Sequence, residues 1–123
     1  MDTGIEGKKA LVLASSDGLG FATGKELLAE GATVMFTSRD KARVAAATEP
    51  LVSAYGDERV LTGEVDVADP QSLAALFEHA KATLGRLDLL VCNAGGPPPG
   101  TFETTGDDKW ELAFNLTLMS VVR

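Results

Sequence analysis

The chain has 123 residues, of which 45% are hydrophobic and 24% charged, and its formal net charge is −7. This length fits one domain, residues 1–123, and the composition excludes a disordered acidic tail, a collagen-like repeat and a disulfide scaffold. The acidic balance argues against nucleic-acid binding, which needs a basic footprint. A single cysteine permits no internal disulfide, and the early apolar run Ala10–Ala14 is too short to span a membrane. We therefore expect a soluble, cytoplasmic protein with no nucleic-acid or membrane partner.

The first third of the chain predicts a strand, a turn and a helix. Residues 10–13 form a continuous apolar run, which is typical of a buried strand. Residues 15–20 read Ser-Ser-Asp-Gly-Leu-Gly, which is turn chemistry. Good helix formers follow over 21–30, and Gly31 marks the end of that helix.

A second strand and helix are predicted next. Residues 33–37 are β-branched or aromatic, which favours a strand. Asp40 is placed to cap a helix over 41–47, and Pro50 is expected to interrupt it or to start another short turn.

The same alternation continues to the last residue. Residues 60–65 and 87–91 predict strands, and Asp69-Pro70 starts a helix that Gly85 ends. The proline-rich segment 95–100 predicts a loop, and a last helix opens near Asp107. Its apolar face carries two aromatic residues that we interpret as core: Trp110 and Phe114.

These elements give the order βαβαβαβα. Strands that are apolar throughout are buried on both faces, which indicates a parallel sheet with helices on both sides. The fold class is therefore α/β, with a Rossmann-like parallel sheet.

The turn over residues 15–20 is the first candidate site. Ligands of such folds bind beyond the carboxyl ends of the strands, where this turn lies. Glycines let the backbone approach a phosphate, the helix N-terminus offers N–H donors, and Ser15 and Ser16 add hydroxyls. The alternative is a plain strand–helix turn, which also uses glycine and serine.

Residues 10–20 resemble the cofactor turn of short-chain dehydrogenases/reductases, whose pattern is Thr-Gly-x-x-x-Gly-x-Gly. Three further blocks occur in the family's order: Asp66-Val67, Asn93-Ala94-Gly95 and Asn115. The resemblance covers essentially the whole chain, and the segment after Asn93 is similar to 3-oxoacyl carrier-protein reductases. The chain departs from the pattern at Leu13 and Ala14, where a methyl group occupies the tightest part of the turn. If Ala14 needs a positive φ, cofactor binding is expected to weaken.

The resemblance implies a site residue by residue. The glycine turn would hold the pyrophosphate, Asp66 would accept a hydrogen bond from the adenine amino group, and Asn93 to Gly95 would form a wall of the pocket. For Asp66 the alternative is a carboxylate that only caps its loop. The expected cofactor-binding residues are Ala14, Ser15, Ser16, Asp17, Gly18, Leu19, Gly20, Ser38, Arg39, Asp66, Val67, Asn93, Ala94 and Gly95.

The end of the second predicted strand bears on the choice between NADP and NAD. Position 38 holds a serine rather than an acid, and the Arg39 guanidinium suits a 2′-phosphate. The resemblance counts Asp17 against NADP, because many NADP-preferring members of the family carry a basic residue at that place in the turn, and Asp40 reduces the local positive potential. We expect NADP, with NAD as the less favoured cofactor.

The resemblance also implies a catalytic set. In the family a Ser, a Tyr and a Lys carry hydride transfer between NADP(H) and a carbonyl or alcohol, and an Asn supports a proton-relay water. Asn115 matches that Asn, whereas the only tyrosine, Tyr55, has no lysine four residues on. We therefore expect an amino-terminal, cofactor-binding portion that is inactive alone and meets a carbonyl substrate only in a complete enzyme. No metal site is expected.

Two alternatives stay open. The apolar last helix favours a non-catalytic nucleotide-binding or oligomerisation module, a homo-oligomer formed through that helix. A phosphoryl-receiving regulator with a flavodoxin-like sheet would need an acidic pair after the first strand, where only Asp17 occurs.

Overall fold

The computed structural model describes residues 1–123. One sheet of four parallel strands has the spatial order β3-β2-β1-β4. Its strands are β1 (Lys9–Val12), β2 (Thr33–Ser38), β3 (Val60–Glu64) and β4 (Leu89–Val91). The helices are α1 (Gly18–Ala29), α2 (Lys41–Tyr55), α3 (Pro70–Leu84), α4 (Asp107–Phe114) and α5 (Ser120–Val122), with a π-helical turn at Asn115–Met119. The predicted parallel α/β, Rossmann-like class is confirmed.

Neighbouring residues of the central strands point to opposite faces of the sheet, and each face has its own apolar core. Ala10 and Val12 of β1 pack with α1 and α2. Leu11 packs on the other face with α3, and so does Leu13, which directly follows the strand. All four side chains are almost fully excluded from solvent. The continuous apolar run in β1 therefore reflects burial on both faces.

Helix α2 is longer than the sequence predicts. It continues through Pro50 to Tyr55 instead of breaking after residue 47. Pro50 is exposed and removes a single backbone donor, whereas Val44, Thr48 and Leu51 are buried along the inner side. Packing of that inner side keeps the helix continuous despite the proline.

The last helical segment differs more from expectation. Trp110 and Phe114, interpreted as core, are each 53% exposed. The helix widens into a π-helical turn at Asn115, and Leu118 and Val121 also remain exposed. The core interpretation of the two aromatic residues is wrong, because no described element covers this side of the helix.

A charged group anchors the start of β4 beside β1. The Asp88 Oδ2 atom accepts from the Lys9 backbone N–H at 2.8 Å and from the Arg86 Nε at 3.0 Å. The backbone hydrogen bond and then the guanidinium hold the pKa of Asp88 below its usual value of 3.8.

None of the helices is long and apolar enough to cross a membrane.

Candidate functional site

A cleft of about 650 Å³ lies at the carboxyl ends of the strands. The loops after all four strands contribute to it, because parallel strands end at the same edge of the sheet. The strand order places β1 between β2 and β4, so the chain changes direction across the sheet at β1. The crevice at such a switch point is where open α/β sheets bind ligands, and this volume suits a small-molecule site.

The turn after β1 is fixed by hydrogen bonds to the end of β2. The Ser15 hydroxyl donates to the Val12 carbonyl at 2.8 Å and accepts from the Thr37 N–H at 2.9 Å. The Thr37 hydroxyl in turn accepts from the Ala14 N–H at 3.1 Å. Ser15 is fully buried, so the prediction that its hydroxyl binds phosphate is wrong. Its hydrogen bonds are used to shape the turn.

Ala14 has a φ of +48°, and it is the only residue other than glycine with a positive φ. The left-handed region brings Cβ close to the following carbonyl oxygen, which costs about 1–2 kcal/mol for an L-residue. Ala14 therefore meets the condition, a positive φ, under which weaker cofactor binding is expected, and that weakening stays a prediction. Ala14 also lines the cleft.

The two glycines of the turn have different roles. Gly18 opens α1 with a φ of +59° and lines the cleft, so it meets a conformational requirement. Gly20 is buried, and a Cβ there would lie 2.5 Å from the Ala14 carbonyl oxygen and 2.9 Å from the Asn93 Nδ2. Gly20 thus lets α1 pack under the turn and does not itself line the cleft.

Two guanidinium groups lie on the β2 side of the cleft. Ser38 is the last residue of β2 and Arg39 directly follows it, and Arg43 on the first turn of α2 joins them at the cleft. Arg43 forms an ion pair with Asp17, with 2.5 Å between Nη2 and Oδ2. The Asp40 carboxylate caps α2 by accepting from the Ala42 and Arg43 N–H groups. Sequence reasoning missed Arg43, although its place three residues after a helix cap puts it at this end of the sheet.

Asp66 and Val67 line the floor of the cleft after β3. The Asp66 Oδ1 atom accepts from the Ala68 N–H at 3.0 Å, so this carboxylate does cap its own loop. The Asp66 N–H is held by the Ser72 hydroxyl at 2.9 Å. Asp66 itself lines the cleft, so the loop cap leaves the residue at the edge where a ligand is expected.

Asn93 joins the far side of the cleft to the glycine turn. Its Nδ2 donates to the Ala14 carbonyl at 3.0 Å, across 79 positions of sequence. Ala94 and Gly95 continue the wall, and Pro97 to Pro99 extend it outward. The Asn93 hydrogen bond therefore links the loop after β4 to the turn after β1.

Asn115 lies outside the cleft, at the first position of the π-helical turn. Its Nδ2 donates to the Glu111 carbonyl at 3.0 Å, and its Oδ1 accepts from Arg123 at 3.3 Å. The residues lining the cleft from this segment are Leu112 and Leu116, which sequence reasoning did not select. The catalytic role of Asn115 stays a prediction.

The cleft brings together all the predicted cofactor-binding residues except Ser15 and Gly20. The lining residues not predicted are Arg43, Val65, Ala68, Gly96, Pro97, Pro98, Pro99, Leu112 and Leu116. Most of these unpredicted residues lie in loops or helices. They reach the cleft because of the path that the chain takes in three dimensions, and no local sequence pattern indicates that path. No group of three or more His, Cys, Asp or Glu side chains is arranged to hold a metal ion.

The chain is similar in sequence and in fold to known reductases. The chain is 37% identical over 122 residues to a Mycobacterium tuberculosis reductase of a hexahydro-indene-carboxyl-CoA, covering 97% of this chain and 45% of that protein. It is 34% identical over 119 residues to the 3-oxoacyl-[acyl-carrier-protein] reductase FabG of Salmonella typhimurium, covering 97% and 47%. The structure of L-sorbose reductase from Gluconobacter frateurii, complexed with NADPH and L-sorbose, superposes with a TM-score of 0.91 at 36% identity and covers 99% and 46%.

The chain thus spans less than half the length of these relatives. A family model described as short chain dehydrogenase matches residues 8–123. The glycine turn, the Asp66 loop and the Asn93 wall all fall within that match. The chain belongs to the short-chain dehydrogenase/reductase family, and its predicted resemblance to 3-oxoacyl carrier-protein reductases is confirmed.

Proposed function

We propose that this chain binds NADP(H) in the cleft at the carboxyl ends of its strands. The observation that carries the proposal is the pair of guanidinium groups, Arg39 and Arg43, beside Ser38. No carboxylate occupies position 38, where an acid would accept hydrogen bonds from the ribose hydroxyls of NAD. Guanidinium groups instead suit the doubly charged 2′-phosphate of NADP.

The two acids that argued against NADP are both engaged. Asp40 caps α2, and Asp17 is paired with Arg43. Neither carboxylate therefore presents an uncompensated charge to a phosphate. That L-sorbose reductase was solved with NADPH supports the same cofactor here.

The remaining contacts of the dinucleotide follow from the walls of the cleft. The pyrophosphate lies against the turn from Ser16 to Leu19 and the N-terminus of α1, where backbone N–H groups and the helix dipole favour an anion. Asp66, which lines the cleft, accepts from the adenine amino group. Asn93 and Ala94 border the other side.

For the whole protein we propose hydride transfer between NADP(H) and a carbonyl or alcohol substrate. Hydride chemistry belongs to the cofactor, and the protein positions it and supplies a proton donor. Tyr55 is the only tyrosine in these 123 residues and is not followed by a lysine four positions on. We therefore expect no carbonyl reduction by this chain alone. Its single cysteine supports a cytoplasmic location.

Cofactor binding is tested by titrating the purified chain with NADPH and with NADH and following the fluorescence of the reduced nicotinamide. The expected result is saturable binding of both, with a lower dissociation constant for NADPH. An Arg39→Gln variant should lose most of the preference, because its contact with the 2′-phosphate is gone. Equal affinity for the two dinucleotides, or tighter binding of NADH, would contradict the proposal.

A second candidate function is self-association through the last helical segment. Trp110, Phe114, Leu118 and Val121 are each about half exposed, and such an apolar face favours burial against a partner. Sedimentation velocity over a range of concentrations is the direct measurement. A dimer or larger species supports this candidate, and a monomer at every concentration rejects it.

A further inference from the structure

An ion pair crosses the mouth of the cleft between the glycine turn and α2. The Arg43 Nη2 and Asp17 Oδ2 atoms are 2.5 Å apart, and their side chains are 60% and 71% exposed. A pair this exposed contributes at most about 1 kcal/mol to stability. Its larger consequence is for what each side chain does at the cleft, which both of them line.

Asp17 is the N-cap residue of α1, and its side chain makes no hydrogen bond to that helix. An aspartate at this position ordinarily accepts from the N–H groups of the first turn. The chain provides two internal comparisons: Asp40 caps α2 at 3.0 and 3.2 Å, and Asp69 caps α3 at 3.0 Å. The Asp17 carboxylate differs from these two in that it pairs with Arg43 and accepts from no N–H group of its helix.

The first turn of α1 is therefore left open toward the cleft. A carboxylate capping this turn would occupy the N–H groups that a pyrophosphate needs, and it would add a negative charge beside it. With Asp17 held by Arg43, the carboxylate accepts from no N–H group of α1, and its charge is paired with a guanidinium.

Arg43 also has N–H donors that the contact with Asp17 does not use. A guanidinium group carries five N–H donors, and the contact to Asp17 uses one nitrogen. Arg43 lines the cleft on the same side as Ser38 and Arg39, where the adenosine ribose would lie. The free donors of Arg43 are thus available to a phosphate on that ribose.

We propose that Arg43 serves cofactor binding in two ways: it holds the Asp17 carboxylate off the N-terminus of α1, and it donates to the adenosine 2′-phosphate alongside Arg39. The inference rests on the proposed function, because it assumes a dinucleotide in this cleft. The first role acts on the pyrophosphate and so affects NADP(H) and NAD(H) alike. The second acts on the 2′-phosphate and so affects NADP(H) only.

The two roles separate in a set of variants of the 123-residue chain titrated with NADPH and NADH. Arg43→Gln should weaken NADH binding severalfold, because the released Asp17 caps α1, and should lower the NADPH preference about tenfold, the equivalent of one charged hydrogen bond. The double variant Asp17→Ala/Arg43→Gln has no side chain able to cap α1. It should recover NADH binding to within about twofold of the parent chain while its NADPH preference stays low.

Lys41→Gln is the matched control, since it removes one positive charge from the same turn of α2 without touching the cleft. It should leave both dissociation constants within about twofold of the parent values. Thermal unfolding checks that every variant is folded. Because the Arg43 side chain is largely exposed, we expect its replacement to leave the Tm unchanged.

Each role has its own contrary result. Unchanged NADH binding in Arg43→Gln overturns the first role, and an unchanged NADPH preference overturns the second. If the double variant fails to recover NADH binding, the first role is likewise overturned. A parent chain that binds neither dinucleotide overturns the proposed function itself, which distinguishes that failure from failure of the Arg43 inference.

Discussion

Replacing Ala14 by glycine should stabilise the fold. The left-handed φ of +48° at Ala14 costs an alanine about 1–2 kcal/mol, and glycine removes that cost. Glycine also loses about 0.4–1 kcal/mol more conformational entropy on folding. The difference leaves a gain of about 0.5–1 kcal/mol in the free energy of unfolding for Ala14→Gly.

The surrounding contacts allow this gain to appear. The Ala14 N–H donates to the Thr37 hydroxyl, and the Ala14 carbonyl accepts from the Asn93 side chain. Both hydrogen bonds belong to the backbone of residue 14, so glycine keeps them. The substitution removes one methyl group that is only partly buried.

Urea unfolding followed by circular dichroism measures the effect, and the denaturation midpoint should rise with an unchanged slope. Ala75→Gly is the control, because Ala75 is an exposed interior residue of α3. There the same chemical change should destabilise the chain by about 1 kcal/mol. A lower or unchanged midpoint for Ala14→Gly would refute the argument that the turn is strained at this residue.

Three further substitutions test other parts of the structure. Thr37→Val leaves the Ala14 N–H without its acceptor and should lower the free energy of unfolding by about 1–3 kcal/mol; a neutral urea midpoint would contradict this. Gly24→Ala places a Cβ against the ring of the buried Phe36 and should lower the free energy of unfolding by about 1–3 kcal/mol, although alanine is the better helix former. A higher Tm by calorimetry would contradict this. The lowered pKa of Asp88 means that its carboxylate stabilises the fold above pH 3.8 and that this contribution is lost as the pH falls below it. In Asp88→Asn the Tm should therefore fall less steeply as the pH is lowered below 3.8. An unchanged dependence of Tm on pH would contradict a stabilising role of the Asp88 carboxylate.

Much of the fold was predictable because its signals are local. The apolar runs at β1 and β2 indicate strands buried on both faces, and Asp69-Pro70 and Gly85 mark the ends of α3. Pro50 misled the prediction of α2, since the packing of Leu51 and its neighbours outweighs one lost backbone hydrogen bond. Trp110 was interpreted as a core residue but is exposed, because an apolar pattern along a helix does not show whether another surface covers it.

The candidate site was predictable to a similar degree. The resemblance to short-chain dehydrogenases/reductases assigned Asp66 and Asn93 to one cleft, and both line it because the ends of parallel strands meet at one edge. The burial of the Ser15 hydroxyl was not predictable, because its acceptor and donor lie on β1 and β2, which only the sheet brings together. Arg43 escaped notice for the same reason, as its partner Asp17 is 26 positions away.

The sequence by itself determined the parallel sheet, through backbone propensity and apolar periodicity along short segments. The family followed from the resemblance of four short motifs, which a match over residues 8–123 confirms. Only the tertiary structure decided which polar groups are free. The Ser15 hydroxyl accepts from the Thr37 N–H, 22 positions away, and the Asp17 carboxylate pairs with Arg43, 26 positions away, instead of capping α1. Hydrogen-bond donors and acceptors are satisfied by whatever lies within about 3 Å, and that neighbourhood exists only once the chain has folded.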